Sequence, residues 1–381
     1  GIRSPYVDIE RRYPGQDSAN LTRATAGSNF TPLQELDGII TPAEFHYQRN
    51  HAGTAIIDPG KHRVVVHGMV DRPKVYTMDD LKRFPRLTAI HFLECSGNSG
   101  GGYGSTKPED TAQNIHGLTS TSEWGGVPMT TIMRDVGVQA RATWALFEGA
   151  DAARMTRSIP RTKLEADAML AYIQNGEPLR PEQGFPVRLF LPGWEGNANI
   201  KWLRRIEFSD QPFWTKEETR NYTDALPDGT ERMFTFPMEV KSLITWPSSG
   251  QHIPGPGFWE ITGIAWSGYG TVTRVEVSVD GGQTWGAASL MAPVLPLTHV
   301  RFRFPWVWDG KPRVILSRAT DDTGYTQPTR QALMQTRGPD YVYHYNGIQP
   351  WLVQANGNVV NAMSRKRQDL PAGTNILEQY L

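Results

Sequence analysis

Alternation of apolar and polar residues is strongest in the C-terminal third of the chain. Residues 272–279 place valines on one face of a strand and mostly polar side chains on the other, and residues 300–304 and 313–320 repeat this period of two. An Asp-Gly-Gly turn at 280–282 connects the first strand to the next one, which is typical of a β-hairpin. The pattern therefore predicts a β-sandwich over residues 237–350, with a role in packing or dimerisation.

The preceding part of the chain mixes short helices with short strands. Its pattern predicts strands at 64–70, 145–147 and 185–191. It predicts helices at 77–84, 130–136 and 165–172. The fold class is therefore α+β, and we divide the chain into an arm (1–30), a mixed catalytic domain (31–208), a connection (209–236), the sandwich (237–350) and a C-terminal extension (351–381).

Charge and hydropathy exclude two classes of partner. Lysine and arginine total 39, as do aspartate and glutamate, so the formal net charge is zero, and no basic run is available to follow a nucleic-acid backbone. No apolar stretch approaches the roughly 20 residues needed to cross a bilayer. The sequence begins without an initiator methionine or a hydrophobic leader, so we expect a mature form that has already been trimmed.

Cys95 is the single cysteine of the sequence, placed between a strand-like segment and a glycine-rich run. One thiol cannot form an intrachain disulfide, and the Cys-x-x-Cys-His attachment site for c-type haem needs two cysteines, so we expect no such haem in this chain. The pattern leaves three alternatives open for Cys95: a small buried apolar residue, a reactive nucleophile, or a sulfur ligand to a soft metal. No His-Asn or His-Asp arrangement at a convincing spacing supports a cysteine hydrolase.

Several short motifs point to one family when they are taken together. They are Arg-Asn-His at 49–51, Glu-Cys-Ser-Gly-Asn at 94–98, Trp-Gly-Gly-Val at 124–127, Phe-Glu-Gly-Ala-Asp at 147–151, Gly-Phe-Pro-Val-Arg at 184–188 and Ile-Lys-Trp-Leu at 200–203. In this order they resemble the sulfite oxidase family of mononuclear molybdenum enzymes. The hairpin at 280–285 is similar to that family's immunoglobulin-like dimerisation domain, which implies self-association.

The resemblance implies a cofactor and a set of site residues. The cofactor is molybdenum with a pyranopterin (molybdopterin), and the Cys95 thiolate is the implied metal ligand. The implied cofactor-binding residues are Arg49, Asn50, His51, Ser120, Asp151, Arg188 and Lys201. The implied catalytic residues are Cys95, Arg49, His116 and Arg301.

Four positions depart from the sulfite-oxidising members of the family. Gly100 stands where they have an arginine, His116 where they have a lysine, Met155 where they have a tyrosine and Gln183 where they have a histidine. These changes predict a less cationic and roomier pocket, which should bind the small sulfite dianion less well.

Two further segments, 30–42 and 343–351, resemble the molybdenum subunit of sulfane dehydrogenase from the bacterial sulfur-oxidising system. This subgroup implies oxidation of the outer sulfur of a cysteine persulfide on a carrier protein, a c-type cytochrome subunit that takes the electrons, a heterotetramer and a periplasmic location. One alternative is a sulfite dehydrogenase that also uses a cytochrome. Another is a non-catalytic binding module in which Cys95 only packs.

Overall fold

The computed structural model describes residues 27–104, 106–338, 341–363 and 365–381. Two strand-rich halves are joined by an irregular connection, and the predicted arm lies outside the described residues apart from 27–30. Within the described ranges, no helix is long and apolar enough to cross a membrane.

Within the described residues, the first half is built from two five-stranded sheets, a separate two-stranded sheet (β1 with β2, Gly27–Asn29 with Gln48–Asn50) and four short α-helices. Its strands are β1 (Gly27–Asn29), β2 (Gln48–Asn50), β3 (Val64–Gly68), β4 (Lys74–Tyr76), β5 (Leu87–Glu94), β6 (Thr119–Pro128), β7 (Trp144–Gly149), β8 (Thr156–Pro160), β9 (Met169–Gln174), β10 (Glu177–Pro178), β11 (Arg188–Phe190) and β12 (Leu203–Ser209). Its helices are α1 (Met78–Arg83), α2 (Ala112–His116), α3 (Met129–Val136) and α4 (Arg161–Ala166). One sheet has the order β10-β9-β6-β5, with β11 also paired to β9, and the other has the order β4-β3-β12-β7-β8. Strand β5 therefore lies at a sheet edge, and the Cys95 loop follows directly after its last residue, Glu94.

Local sequence signals explain why α1 forms where it does. The Thr77 hydroxyl accepts a hydrogen bond from the Asp80 N–H, and the Asp80 carboxylate accepts one from the Thr77 N–H, which completes a capping box. The helix ends at Arg83, two residues before Pro85, which cannot continue it. The predicted helices at 77–84 and 130–136 are confirmed.

The second half is the predicted β-sandwich. Its strands are β15 (Lys241–Trp246), β16 (Gly257–Trp266), β17 (Val272–Ser278), β18 (Gly286–Ala287), β19 (Ser289–Met291), β20 (Val300–Trp308), β21 (Arg313–Asp321), β22 (Trp351–Val353) and β23 (Val359–Asn361). One sheet has the order β15-β16-β20-β19 and the other β18-β17-β21-β22-β23. The connection carries a small hairpin, β13 (Asp224–Ala225) with β14 (Glu231–Arg232), and α5 (Arg330–Arg337) follows β21. The valines of β17 that alternation placed inward are buried, so the predicted inward face of this strand is confirmed.

The predicted helix at 165–172 is wrong. Helix α4 ends at Ala166, and residues 169–174 form strand β9 in the middle of a sheet. Because β9 is buried along nearly its whole length, its sequence is a continuous apolar run, and such a run does not distinguish a strand from a helix.

The sandwich extends beyond the predicted boundary at residue 350. Strand β22 pairs with β21 and with β23, so residues 351–361 belong to the second sheet and not to a separate extension. A continuous apolar core links the two halves, because Phe92 and Ile115 of the first half pack in one cluster with Trp266 and Trp351 of the second. Both halves therefore hold the loop that follows β5.

Candidate active site

Cys95 lies at the start of a tight loop at the end of β5. Its N–H donates to the Leu118 carbonyl over 2.9 Å, and its own carbonyl accepts from the Asn98 N–H over 2.9 Å. Ser99 has a φ of 66°, in the left-handed region. These bonds fix the backbone on both sides of the thiol, while the side chain stays partly accessible.

Glu94 anchors this loop to the second half of the chain. Its carboxylate is fully buried and accepts hydrogen bonds from Lys241 Nζ at 2.7 Å, Trp266 Nε1 at 2.6 Å and Asn98 Nδ2 at 2.9 Å. A buried carboxylate needs such partners, because an unpaired charge away from water is strongly unfavourable.

Cys95 opens into a pocket with about 620 Å³ of empty volume. The pocket is lined by Tyr47, Arg49, Asn50, His51, Leu93, Cys95, Asp151, Met155, Gln183, Arg188, Gly196, Asn197, Asn199, Ile200, Lys201, Trp202 and Tyr222. The structure thus brings together six of the sequence-predicted residues besides the cysteine, from four separate motifs. Asp151 is the single acidic residue in this lining, so the pocket is suited to an anionic group.

Arg188 offers an unused hydrogen-bond donor inside the protein. Its Nη1 donates to the Gln183 carbonyl and its Nη2 to the Asn199 carbonyl, both over 3.0 Å. Its Nε is buried and has no partner within the described part of the chain. Burial lowers the pKa of Arg188 to about 10, which still leaves a cation at neutral pH. A buried cation with a spare donor favours an anion nearby.

Lys201 holds the Arg-Asn-His segment in place. Its ammonium donates to the Arg49 carbonyl at 3.2 Å, to the Glu182 carbonyl at 3.0 Å and to the Asn50 side-chain oxygen. Burial, with a smaller contribution from the Arg188 charge, lowers the pKa of Lys201 to about 7. An anion bound beside this ammonium would raise that pKa again.

His51 and Tyr222 form a hydrogen-bonded pair on the pocket wall, with the Tyr222 hydroxyl 2.9 Å from His51 Nε2. Burial and the neighbouring charges of Arg49 and Lys201 lower the pKa of His51 to about 4. The imidazole is therefore neutral at pH 7 and acts as a hydrogen-bonding group rather than as a cation.

The Cys95 thiol is not activated as a free nucleophile. Burial raises its pKa above the ordinary value, and the opposing contributions of the Gly97 backbone and the Arg49 charge are smaller. A nucleophilic cysteine requires a lowered pKa, so the burial of this thiol argues against the hydrolase alternative. Metal ligation is different, because binding itself displaces the thiol proton.

Two predicted residues lie behind the pocket rather than on its wall. Ser120 Oγ contacts the Thr31 hydroxyl at 2.6 Å and accepts from the Tyr47 N–H at 2.9 Å, so it positions a lining residue. His116 is buried, with Nδ1 2.6 Å from Ser99 Oγ and Nε2 2.9 Å from Gln349 Oε1. Both ring nitrogens of His116 are therefore occupied, and burial lowers its pKa to about 3, which fits a structural role better than the predicted proton relay.

Arg301 is placed away from Cys95. Its Nε donates to the Gly38 carbonyl over 2.6 Å, and the side chain lines a different cavity together with Asp37 and Trp246. The family resemblance implied that Arg301 is catalytic, but within this chain the structure does not bring the residue to the pocket.

Gly100 packs against the second half of the chain. A Cβ built on Gly100 would lie 3.1 Å from the Val342 carbonyl oxygen, which is tighter than ordinary van der Waals contact. The segment around Val342 therefore lies against the position at which the sulfite-oxidising relatives carry an arginine.

We expect Gly100→Arg to destabilise the protein by about 1 to 3 kcal/mol, the usual range for overpacking. Gly255→Arg is the matched control, because no heavy atom lies within 4 Å of a Cβ at that position. The midpoint of urea unfolding measures both. Equal midpoints for the two variants would contradict the proposed contact.

A balanced ion network behind the pocket could not be found from the sequence. Six buried or half-buried groups alternate in charge and bridge the two halves: Glu218, Arg157, Glu195, His344, Glu239 and Arg337. His344 lies between Glu195 at 3.1 Å and Glu239 at 3.2 Å. The subgroup segment 343–351 was a signal that this region matters, but its contacts depend on residues more than 100 positions away.

Comparison with known proteins agrees with this geometry. Residues 51–216 match the oxidoreductase molybdopterin binding domain, and residues 232–350 match the Mo-co oxidoreductase dimerisation domain. The crystal structure of the sulfane dehydrogenase SoxCD from Paracoccus pantotrophus matches with a TM-score of 0.87 and 40% identity over 95% of each chain. Sulfite oxidase from Gallus gallus is 31% identical over 327 residues, which are 80% of this chain and 69% of that protein. The chain belongs to the sulfite oxidase family of molybdenum oxidoreductases.

The family resemblance inferred from the short motifs is therefore confirmed, as is the family's cofactor, molybdenum with molybdopterin. The chain also matches part of several longer proteins. Nitrate reductase [NADH] 2 from Phaseolus vulgaris is 34% identical over 336 residues, which cover 76% of this chain. The chain spans 36% to 40% of the length of this and three other nitrate reductases that it matches.

The residues of the pocket fit this cofactor. An anionic, phosphate-bearing pterin requires cations and spare donors, which Arg188 Nε and the cationic lining supply. Soft-metal ligation requires one accessible sulfur, which Cys95 supplies. Among the described residues, no group of three or more His, Cys, Asp or Glu side chains could hold a metal ion.

We expect Arg188→Met to lower molybdopterin content by roughly ten-fold, because the variant removes the buried cation and its spare donor. Arg83→Met is the control, since the Arg83 side chain is 79% exposed on α1. Pterin released from the purified proteins by acid and oxidation is measured by fluorescence. Normal pterin content in Arg188→Met would show that this residue does not hold the cofactor.

Proposed function

We propose that this protein oxidises the outer, sulfane sulfur of a thiol-bound persulfide, with water as the source of oxygen. Each step adds one oxygen atom, R–S–S⁻ + H₂O → R–S–SO⁻ + 2 H⁺ + 2 e⁻, and the electrons pass to a c-type cytochrome. The observation that carries the proposal is the joint presence of an accessible Cys95 in a cationic pocket and the close fold match to a sulfane dehydrogenase.

In this proposal Cys95 is the protein ligand to molybdenum, and the bound cofactor supplies oxygen-atom transfer and two-electron redox chemistry. Arg188 binds the anionic part of the cofactor, and Lys201 fixes the Arg-Asn-His segment around it. The neutral imidazole of His51, hydrogen-bonded to the Tyr222 hydroxyl, orients the pocket wall beside the cofactor.

The lining supports a persulfide over sulfite in one respect. Met155 lies on the pocket wall, and Gly100 adds no side chain beside the cysteine loop, so two polar groups of the sulfite-oxidising relatives are missing. A monoanionic sulfur chain needs less charge neutralisation than the sulfite dianion does.

The partners and the location are also proposals. The relative with the matching fold is a sulfane dehydrogenase, which supports a carrier protein that presents the persulfide on a cysteine and a cytochrome subunit that receives the electrons. The match to a dimerisation domain supports self-association through the sandwich. Such an assembly suits an oxidising compartment, and we place it in the periplasm.

Steady-state assays of the molybdenum-loaded protein test the proposal, with ferricyanide as electron acceptor and either glutathione persulfide or sulfite as substrate. We expect a higher kcat/KM for the persulfide. Rapid turnover of sulfite with none of the persulfide would instead support the sulfite dehydrogenase alternative.

A further inference from the structure

Tyr222 and Tyr343 come from different halves of the chain and meet beside the Cys95 pocket. Tyr222 follows the π-helical turn Glu217–Asn221 and lines the pocket. Tyr343 belongs to the segment that packs on the cysteine loop. The two ring centroids are 5.1 Å apart, with an angle of 38° between the ring planes.

The Tyr222 ring lies on the pocket wall, and the Tyr343 ring, which does not line the pocket, packs against it on the side nearer the surface. Tyr222 is buried, Tyr343 is half-buried, and Val342 beside it is 59% exposed. Burial raises the pKa of both phenols, so both hydroxyls stay protonated and uncharged at neutral pH.

Both tyrosines are held in place by contacts other than their own stacking. The Arg157 guanidinium lies 5.1 Å from the Tyr222 ring centroid, and His51 is hydrogen-bonded to its hydroxyl. The Tyr343 carbonyl accepts from the Tyr103 hydroxyl over 2.9 Å, and the next residue, His344, donates its N–H to the Ser96 carbonyl over 2.8 Å. The aromatic pair is thus fixed relative to the cysteine loop.

We propose that Tyr222 and Tyr343 form an aromatic collar that contacts the divalent sulfur chain of the substrate as it approaches Cys95. The inference rests on the proposed function. In it, the two rings set the preference of this enzyme for a persulfide over sulfite. Divalent sulfur packs favourably against aromatic rings. A small sulfur oxyanion gains nothing from the negative faces of the same rings.

The test compares Tyr343→Leu with Tyr343→Phe in the molybdenum-loaded protein, with glutathione persulfide as substrate and ferricyanide as acceptor. We expect Tyr343→Leu to raise KM about five-fold with little change in kcat, because the ring contact is the same in the ground state and the transition state. Tyr343→Phe keeps the ring and should restore the wild-type KM. Tyr325→Leu is the neutral control, because Tyr325 is 45% exposed and lines a different cavity, together with Leu226 and Tyr269.

The possible outcomes separate this inference from the proposed function. An unchanged KM in Tyr343→Leu, with a wild type that oxidises the persulfide, would overturn the collar alone. An equal rise in KM for sulfite would also overturn it, because the collar would then not discriminate between substrates. A wild type that is inactive on the persulfide would overturn the proposed function and the collar together. Molybdenum content, measured in every sample, identifies any variant whose loss of activity comes from lost cofactor.

Discussion

Cys95→Ser is expected to lower turnover by well over about 100-fold, because changes outside the ligand shell of a metal already lower activity 10- to 100-fold. The serine hydroxyl is a harder and less acidic ligand than the thiol and is poorly suited to a soft metal site. The loop should keep its fold, since its backbone hydrogen bonds to Leu118 and Asn98 do not involve the sulfur. Turnover with persulfide, molybdenum content and circular dichroism together measure this result.

Ser96→Ala is the matched control for Cys95→Ser. The Ser96 hydroxyl accepts a hydrogen bond from Asn197 over 3.0 Å at the adjacent position of the same loop, but Ser96 does not line the pocket. This variant should retain most of its activity. If Cys95→Ser kept wild-type turnover, the sulfur would not be a metal ligand and the proposed function would be wrong.

His344→Leu is expected to destabilise the protein by about 3 to 5 kcal/mol, the range for removing one partner of a buried ion pair. The substitution leaves Glu195 and Glu239 with one cation fewer between them. His67→Leu is the control, because His67 faces Glu207 at 3.9 Å with both side chains about one-third exposed. The control should change stability by less than about 1 kcal/mol. Urea unfolding of both variants measures the difference, and similar losses in the two would contradict a special role for the buried network.

The same network predicts a pH dependence. Burial alone would lower the pKa of His344, but the hydrogen bonds and charges of Glu195 and Glu239 outweigh burial and raise it to about 10. A raised histidine pKa stabilises the fold fully below the ordinary value near 6.5 and progressively less as the pH rises towards 10. Wild-type stability should therefore fall over this interval, and the slope should be smaller in His344→Leu.

Sequence patterns predicted those parts of the fold that have one buried face. The alternating valines of β17 and the capping residues around α1 each encode their own local structure. Strand β9 was mistaken for a helix because its burial comes from the neighbouring strands and not from its own period. The end of the sandwich was also misplaced, because the pairing of β22 with β21 is a long-range contact.

The candidate site could be predicted only where short motifs carry it. Arg49, Cys95, Asp151, Arg188 and Lys201 belong to such motifs and lie together in one pocket. Ser120 and His116 support that pocket from behind, while Arg301 lies elsewhere. Other residues around the pocket meet only after folding: Glu195, Tyr222, Tyr343 and His344. The resemblance of segment 343–351 to the subgroup pointed to Tyr343 and His344, but local sequence does not show which distant residues these side chains contact.

X-ray absorption at the molybdenum edge tests the central claim most directly, because it counts the sulfur atoms bound to the metal. Wild-type protein and Cys95→Ser, both loaded with cofactor, are compared under the same conditions. The proposed ligation predicts one sulfur ligand fewer in the variant, together with loss of persulfide oxidation. Identical sulfur coordination in the two proteins would contradict it.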